Sequence, residues 1–164
     1  MTEEEWFAAD YGEIYRITTL LTPRRQRLLA AAVCRVLLPW INYPSVQNAL
    51  DVIETFADTG KTKAALRRAR QAIAATRKEQ FNLSRGQQWM IAIERALFVV
   101  SNAASDDPLS GTMPQAIEAL AITGGISVEA ARSRLFSPYR EIVGRAGHPM
   151  AVLPEWRTTT VVQL

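Results

Sequence analysis

Apolar residues along this chain recur at three- and four-residue spacings and almost nowhere in strict alternation. That is the signature of helices with one buried side, not of strands. The pattern falls into blocks with recognisable starts. Thr2 followed by Glu5 has the form of a capping box, in which each side chain covers the other's free backbone N–H. A short helix from Tyr11 to about Leu21 follows. Thr22-Pro23 restarts the chain, with a hydroxyl at the cap and then a proline where its missing N–H costs nothing. Leu29, Val33, Val36, Leu37 and Trp40 then share one side of a helix, with Arg24, Arg27 and Arg35 on the other. This predicts an amphipathic helix with a hydrated basic face.

Ser45 is the expected cap of the next helix, whose stripe is Val46, Ala49, Leu50, Ile53, Phe56 and Ala57 and whose stop is Asp58-Thr59-Gly60. Thr62 caps a helix through about Gln80, alanine-rich on its apolar side. Ser84 caps another, with Trp89, Ile93, Ala96, Leu97 and Val100 in register. Asp106 to Thr112 reads as a loop. Pro114 to Ile122 and Val128 to Leu135 read as two helices around a glycine turn, and Pro138 as the restart of a last one to Val143. Gly144 to Trp156, with two glycines and two prolines, is irregular, and Thr158 to Val162 opens either a strand or a final helix. The expected fold is all-α: a single-domain bundle of about seven to eight helices over 1–164 with an irregular C-terminal segment.

Composition sharpens this only in places. At 164 residues, 48% hydrophobic and 21% charged, the chain is an ordinary globular domain. A formal charge of +3 permits an acidic partner without demanding one. The single cysteine, Cys34, lies in an apolar run, so it reads as a small buried hydrophobe in a reducing compartment. The opening Glu3-Glu4-Glu5 is acidic where a secretory signal is basic, and the apolar run Leu28 to Ile41 is interrupted by Arg35 and Pro39 and is too short to cross a bilayer. The expectation is a cytoplasmic protein without a membrane partner.

Three segments carry a family resemblance. They are the opening Thr2-Glu3-Glu4-Glu5-Trp6, the run Arg27 to Arg35 with Ala49 to Asp58 after it, and the late segment Ile142-Val143-Gly144, Pro149, Pro154, Trp156-Arg157-Thr158, Thr160-Val161-Val162 and Leu164. Together these resemble an uncharacterised all-helical family found in many copies in certain large-genome bacteria. The chain departs from the family where the pattern reads Asn-Pro-Phe-Arg and this sequence has Arg145-Ala146-Gly147-His148. In that family further helices follow the Trp156 segment, so a chain stopping at Leu164 is either a natural short form or the N-terminal part of a longer architecture. The resemblance implies an all-α fold and carries no activity, cofactor or catalytic residue.

No chemical constellation stands out. His148 is the only histidine, which excludes a His pair for zinc, and no Glu-x-x-His occurs for a di-iron bundle. Asp106-Asp107 lacks the rest of a calcium loop, and Gly124-Gly125 lacks the lysine of a phosphate loop. No catalytic residue, metal or cofactor is expected. Carboxylates on separate helices, Glu13, Glu54, Glu94 and Glu118, would indicate an enzyme only if a cleft gathered two or more of them.

Two features point toward partners. Lys63, Arg67, Arg70, Arg77 and Lys78 share a broad face of the helix over 62–79, as phosphate-binding stripes and ordinary solvated faces both do. The pair over 114–135, ending in Arg132 and Arg134, is reminiscent of a helix-turn-helix. The leading expectation is a non-catalytic scaffold or protein-interaction module, with the apolar residues between Pro149 and Trp156 as a candidate partner surface. The alternative is a nucleic-acid-binding regulator using these two features.

Overall fold

The computed structural model describes residues 2–61, 63–83 and 88–143. Eight helices follow one another there: α1 (Glu3–Ala8), α2 (Tyr11–Thr19), α3 (Pro23–Leu37), α4 (Pro44–Thr59), α5 (Lys63–Leu83), α6 (Gln88–Ala103), α7 (Thr112–Gly124) and α8 (Val128–Val143). No strand occurs among the described residues, and the fold is all-α.

The arrangement follows from α3. Arg27 through Cys34 are eight consecutive buried residues, so this stretch has no wet side. A helix buried around its whole circumference must be enclosed, and α4, α6, α7 and α8 all pack against it. Ala30, Ala31 and Ala32 keep its surface low enough for close approach, while Leu29, Val33 and Leu37 fill the gaps between neighbours. α5 lies outside this shell on α4 and α6, and α1 lies on α8. There the Trp6 ring sits 4.7 Å from Tyr139 and 5.9 Å from Phe136, centroid to centroid.

Local signals set several boundaries where the sequence places them. Glu5 N donates to Thr2 Oγ1 at 3.2 Å and Thr2 N to Glu5 Oε2 at 2.6 Å, closing the capping box. Thr22 caps α3 ahead of Pro23. Gly60 ends α4 in the left-handed region (φ 64°), where a side chain would be strained. Ala130 N donates to Ser127 Oγ at 3.2 Å at the start of α8.

Other boundaries differ. Ser45 is not a cap: Pro44 already occupies the first turn of α4, Tyr43 precedes it without a side-chain cap, and the Ser45 hydroxyl instead pairs with Thr76 of α5 at 2.8 Å. Pro138 does not restart a helix but sits inside α8. An interior proline removes one backbone bond and crowds the preceding turn, a cost of about 3 kcal/mol. Burial of Ala131 and Leu135 before it, and of Phe136, Tyr139 and Ile142 around and after it, offsets that cost. The expected caps Thr62 and Ser84, His148, the irregular segment from Gly144 to Trp156 and the stretch Thr158 to Val162 lie outside the described residues.

The hydrated basic face expected of α3 holds only at Arg24, which is exposed and paired with Asp58 at 2.8 Å; Arg27 and Arg35 turn inward. Arg35 donates two hydrogen bonds to the Glu54 carboxylate, at 2.7 and 2.9 Å. Arg27 is 8% exposed; its Nη1 donates to Ala103 O and Ser105 O, each at 3.0 Å, and its guanidinium lies 4.9 Å from the Phe56 ring centroid. Those carbonyls lie at and just past the end of α6, where helical partners run out. The same device closes two other helices. Gln26 Nε2 donates to Thr19 O and Leu21 O after α2. Arg132 Nη2 donates to Trp6 O and Ala9 O at the end of α1. Because a buried acceptor left unpaired costs about 1–3 kcal/mol, Arg27→Met, similar in length but without donors, is expected to lower stability by about 2–3 kcal/mol. Urea unfolding checks this through a lower midpoint at unchanged slope.

Candidate functional site

α5 is a long helix held by few side chains. Of its residues 63–82, Leu66, Ala69 and Ile73 are buried. At 1.5 Å per residue its 21 residues run for about 32 Å, so most of its surface faces solvent. Lys63, Arg67, Arg68, Arg70 and Lys78 are all exposed there, and none forms an ion pair among the described residues. Ala64, Ala74 and Ala75 share the exposed arc with them. Arg77 departs from this group. It turns toward α6, where Nη2 lies 2.5 Å from Glu94 Oε1 and the guanidinium sits 5.2 Å from the Phe98 ring centroid. Four of the five stripe residues singled out by sequence therefore share one free surface, and the fifth is an internal tie.

The α7–α8 pair is tighter than the sequence indicates. α7 runs two residues earlier and two later than Pro114 to Ile122, and only Gly125-Ile126-Ser127 separate it from α8. That length suits a helix-turn-helix, but the side chains do not follow. Arg132, which would face a groove of DNA, is half-buried and bonded to the α1 carbonyls, while Trp6 Nε1 donates back to Arg132 O at 3.2 Å. Arg134 remains exposed.

A groove of about 360 Å³ opens between α2 and the connection from α6 to α7. Tyr11 and Tyr15, 41% and 39% exposed, form one wall. Leu109, Met113 and Pro114 form the other. Tyr15 Oη donates to Asp107 Oδ2 at 2.9 Å, and this bond, with the carboxylate's charge, holds the Tyr15 phenol above its ordinary pKa. The groove joins residues about a hundred positions apart. The only sequence signal for it is the pair of tyrosines at i and i+4 on a short helix.

The carboxylates of the enzyme alternative are engaged separately. Glu54 pairs with Arg35, Glu94 with Arg77 and Glu118 with Arg95, while Glu13 is exposed on α2. No cluster of three or more metal-ligating side chains occurs among the described residues. No helix among them is long and apolar enough to cross a membrane. The hydroxyl of Tyr139 is buried without a partner among the described residues.

Comparison with protein-family models, with curated proteins and with solved structures finds no match. The functional reading therefore rests on the surface of the molecule itself.

Cys34 is fully buried, and desolvation pushes its thiol far above the usual range, with Arg35 only partly opposing that shift. Since the thiolate is the reactive form, Cys34 is expected to resist a disulfide reagent in the folded protein at pH 8 and to react fully once denaturant is added. Rapid labelling of the native protein would contradict the packing around α3.

Proposed function

We propose that the protein is a non-catalytic helical interaction module that docks an acidic helix of a partner protein along α5. The observation that carries this reading is the exposed face of α5. Among the described residues, five cations stand on it without carboxylate partners, on a helix with three described side chains buried in the core. Surface cations of this kind are ordinarily balanced or scattered; here they are gathered on one element. The small side chains of Ala64, Ala74 and Ala75 between them leave room for a second helix to lie close, with basic residues on either side to meet its acidic ones.

A nucleic acid is the competing partner. The commitment of Arg132 to the end of α1 weighs against it, because the α8 surface then keeps Arg134 but loses the neighbour that a recognition helix would use. The module reading also accommodates the connections from α4 to α5 and from α5 to α7, where Ser45–Thr76, Arg77–Glu94 and Arg95–Glu118 tie neighbouring helices into one platform.

The test is a triple charge reversal, Arg67→Glu, Arg70→Glu and Lys78→Glu, all at exposed positions, with circular dichroism to check the fold. At about 0.5 kcal/mol for each exposed pair, affinity for a designed acidic helical peptide is expected to fall at least about tenfold. Wild-type protein is expected to prefer that peptide to duplex DNA at physiological salt. Tighter binding to DNA with a steep salt dependence, or undiminished peptide binding by the variant, would overturn the reading.

A further inference from the structure

The groove beside α2 is apolar on both walls, yet no helix of the described structure fills it. Tyr11 and Tyr15 stand one turn apart on the same side of α2, so their rings form a continuous face. Leu109 and Met113 opposite are nearly buried, and Pro114 extends that wall. Gly12 and Gly111 also line it. Flat aromatic faces beside proline and glycine make a surface suited to an extended, proline-containing peptide, whose polyproline-II form offers side chains without any need to fold first.

The chain carries such a peptide in its own sequence. Twenty-one residues, 144–164, follow the end of α8. Among them Pro149-Met150-Ala151-Val152-Leu153-Pro154 is apolar at every position, with a proline at each end, and Trp156 comes two residues later. Each proline fixes its own φ and biases the preceding residue toward extended geometry, so the segment is prepared for a groove rather than for a helix. Pro149 lies six residues beyond Val143, a span of up to about 20 Å when extended. The tether starts at Val143, about 16 Å along α8 from Arg132, whose guanidinium lies 5.9 Å from the Tyr11 ring centroid, a separation within that span. A tethered segment acts at an effective concentration in the millimolar range, an advantage that no free partner shares. We propose that residues 149–156 dock in the Tyr11–Tyr15 groove of the same molecule. The α5 surface takes no part in this, so the two proposals stand or fall separately.

The test uses the full chain with paired cysteines. Tyr15→Cys with Leu153→Cys, under mild oxidation, is expected to give an intramolecular disulfide in the monomer, at least fivefold more abundant than that from Gln71→Cys on α5 with Leu153→Cys. Buried Cys34 stays silent in both. A second variant leaves the groove untouched: Val152→Asp with Leu153→Asp is expected to speed amide exchange about tenfold over residues 11–18 and 109–114 and to leave α5 unchanged. Disulfides mainly between chains would assign the groove to a second copy. Cross-linking no greater than the control, or exchange unaffected by the aspartates, would leave the groove without its own chain as occupant. Each of these results overturns the proposal.

Discussion

A helix with no polar side cannot lie on a surface, and α3 imposes that constraint on everything around it. Between Arg27 and Cys34 each residue is buried, so four neighbours are needed where an amphipathic helix needs one or two. The alanines at 30–32 set how closely those neighbours approach. Arg27 is the polar side chain admitted to this stretch, and it is admitted because it finishes another helix: its guanidinium supplies the donors that the end of α6 lacks. Burying a cation is costly unless it is hydrogen-bonded, and the two carbonyls that accept from Nη1, together with the Phe56 ring, offset that cost.

Once α3 is enclosed by α4, α6, α7 and α8, the remaining helices form an outer layer with surface to spare. α5 places its cations there. α1 and the start of α2 are the acidic counterpart, with Glu3, Glu4, Glu5, Asp10 and Glu13 exposed. The small formal charge of +3 thus conceals two regions of opposite charge. Two surface features result: the exposed basic face of α5 and the aromatic groove beside α2. Both use helices that the core holds by a few side chains, Ile14 and Thr18 in α2 and Leu66, Ala69 and Ile73 in α5.

What was legible in the sequence was local. The capping box at Thr2, the Thr22-Pro23 start, the left-handed stop at Gly60 and the Ser127 cap each depend on a few adjacent residues, and each forms as its chemistry dictates. The departures come from partners distant in sequence. A helical wheel assigns Arg27 to water because it cannot register carbonyls 76 and 78 residues away. Arg132 looks available until α1, 126 positions earlier, is found bonded to it. Pro138 looks like a break because its penalty is local, whereas the burial that outweighs it is tertiary. The Tyr11–Tyr15 groove exists only once the connection between α6 and α7 lies against α2, as the bond from Tyr15 to Asp107 records. The all-α class and the single core were readable, and so were most cations of the α5 face; the groove was not.

The central claim is that a fully enclosed α3 supports an outer layer held by far fewer contacts. Residue-resolved native-state amide exchange tests it most directly, because protection reports how much of the molecule must open to release each hydrogen. The account predicts that amides from Leu28 to Cys34 exchange most slowly, at the free energy of global unfolding, and that α2 and α5 exchange through smaller local openings. Protection in α5 equal to that in α3, or rapid exchange across α3 itself, would contradict it.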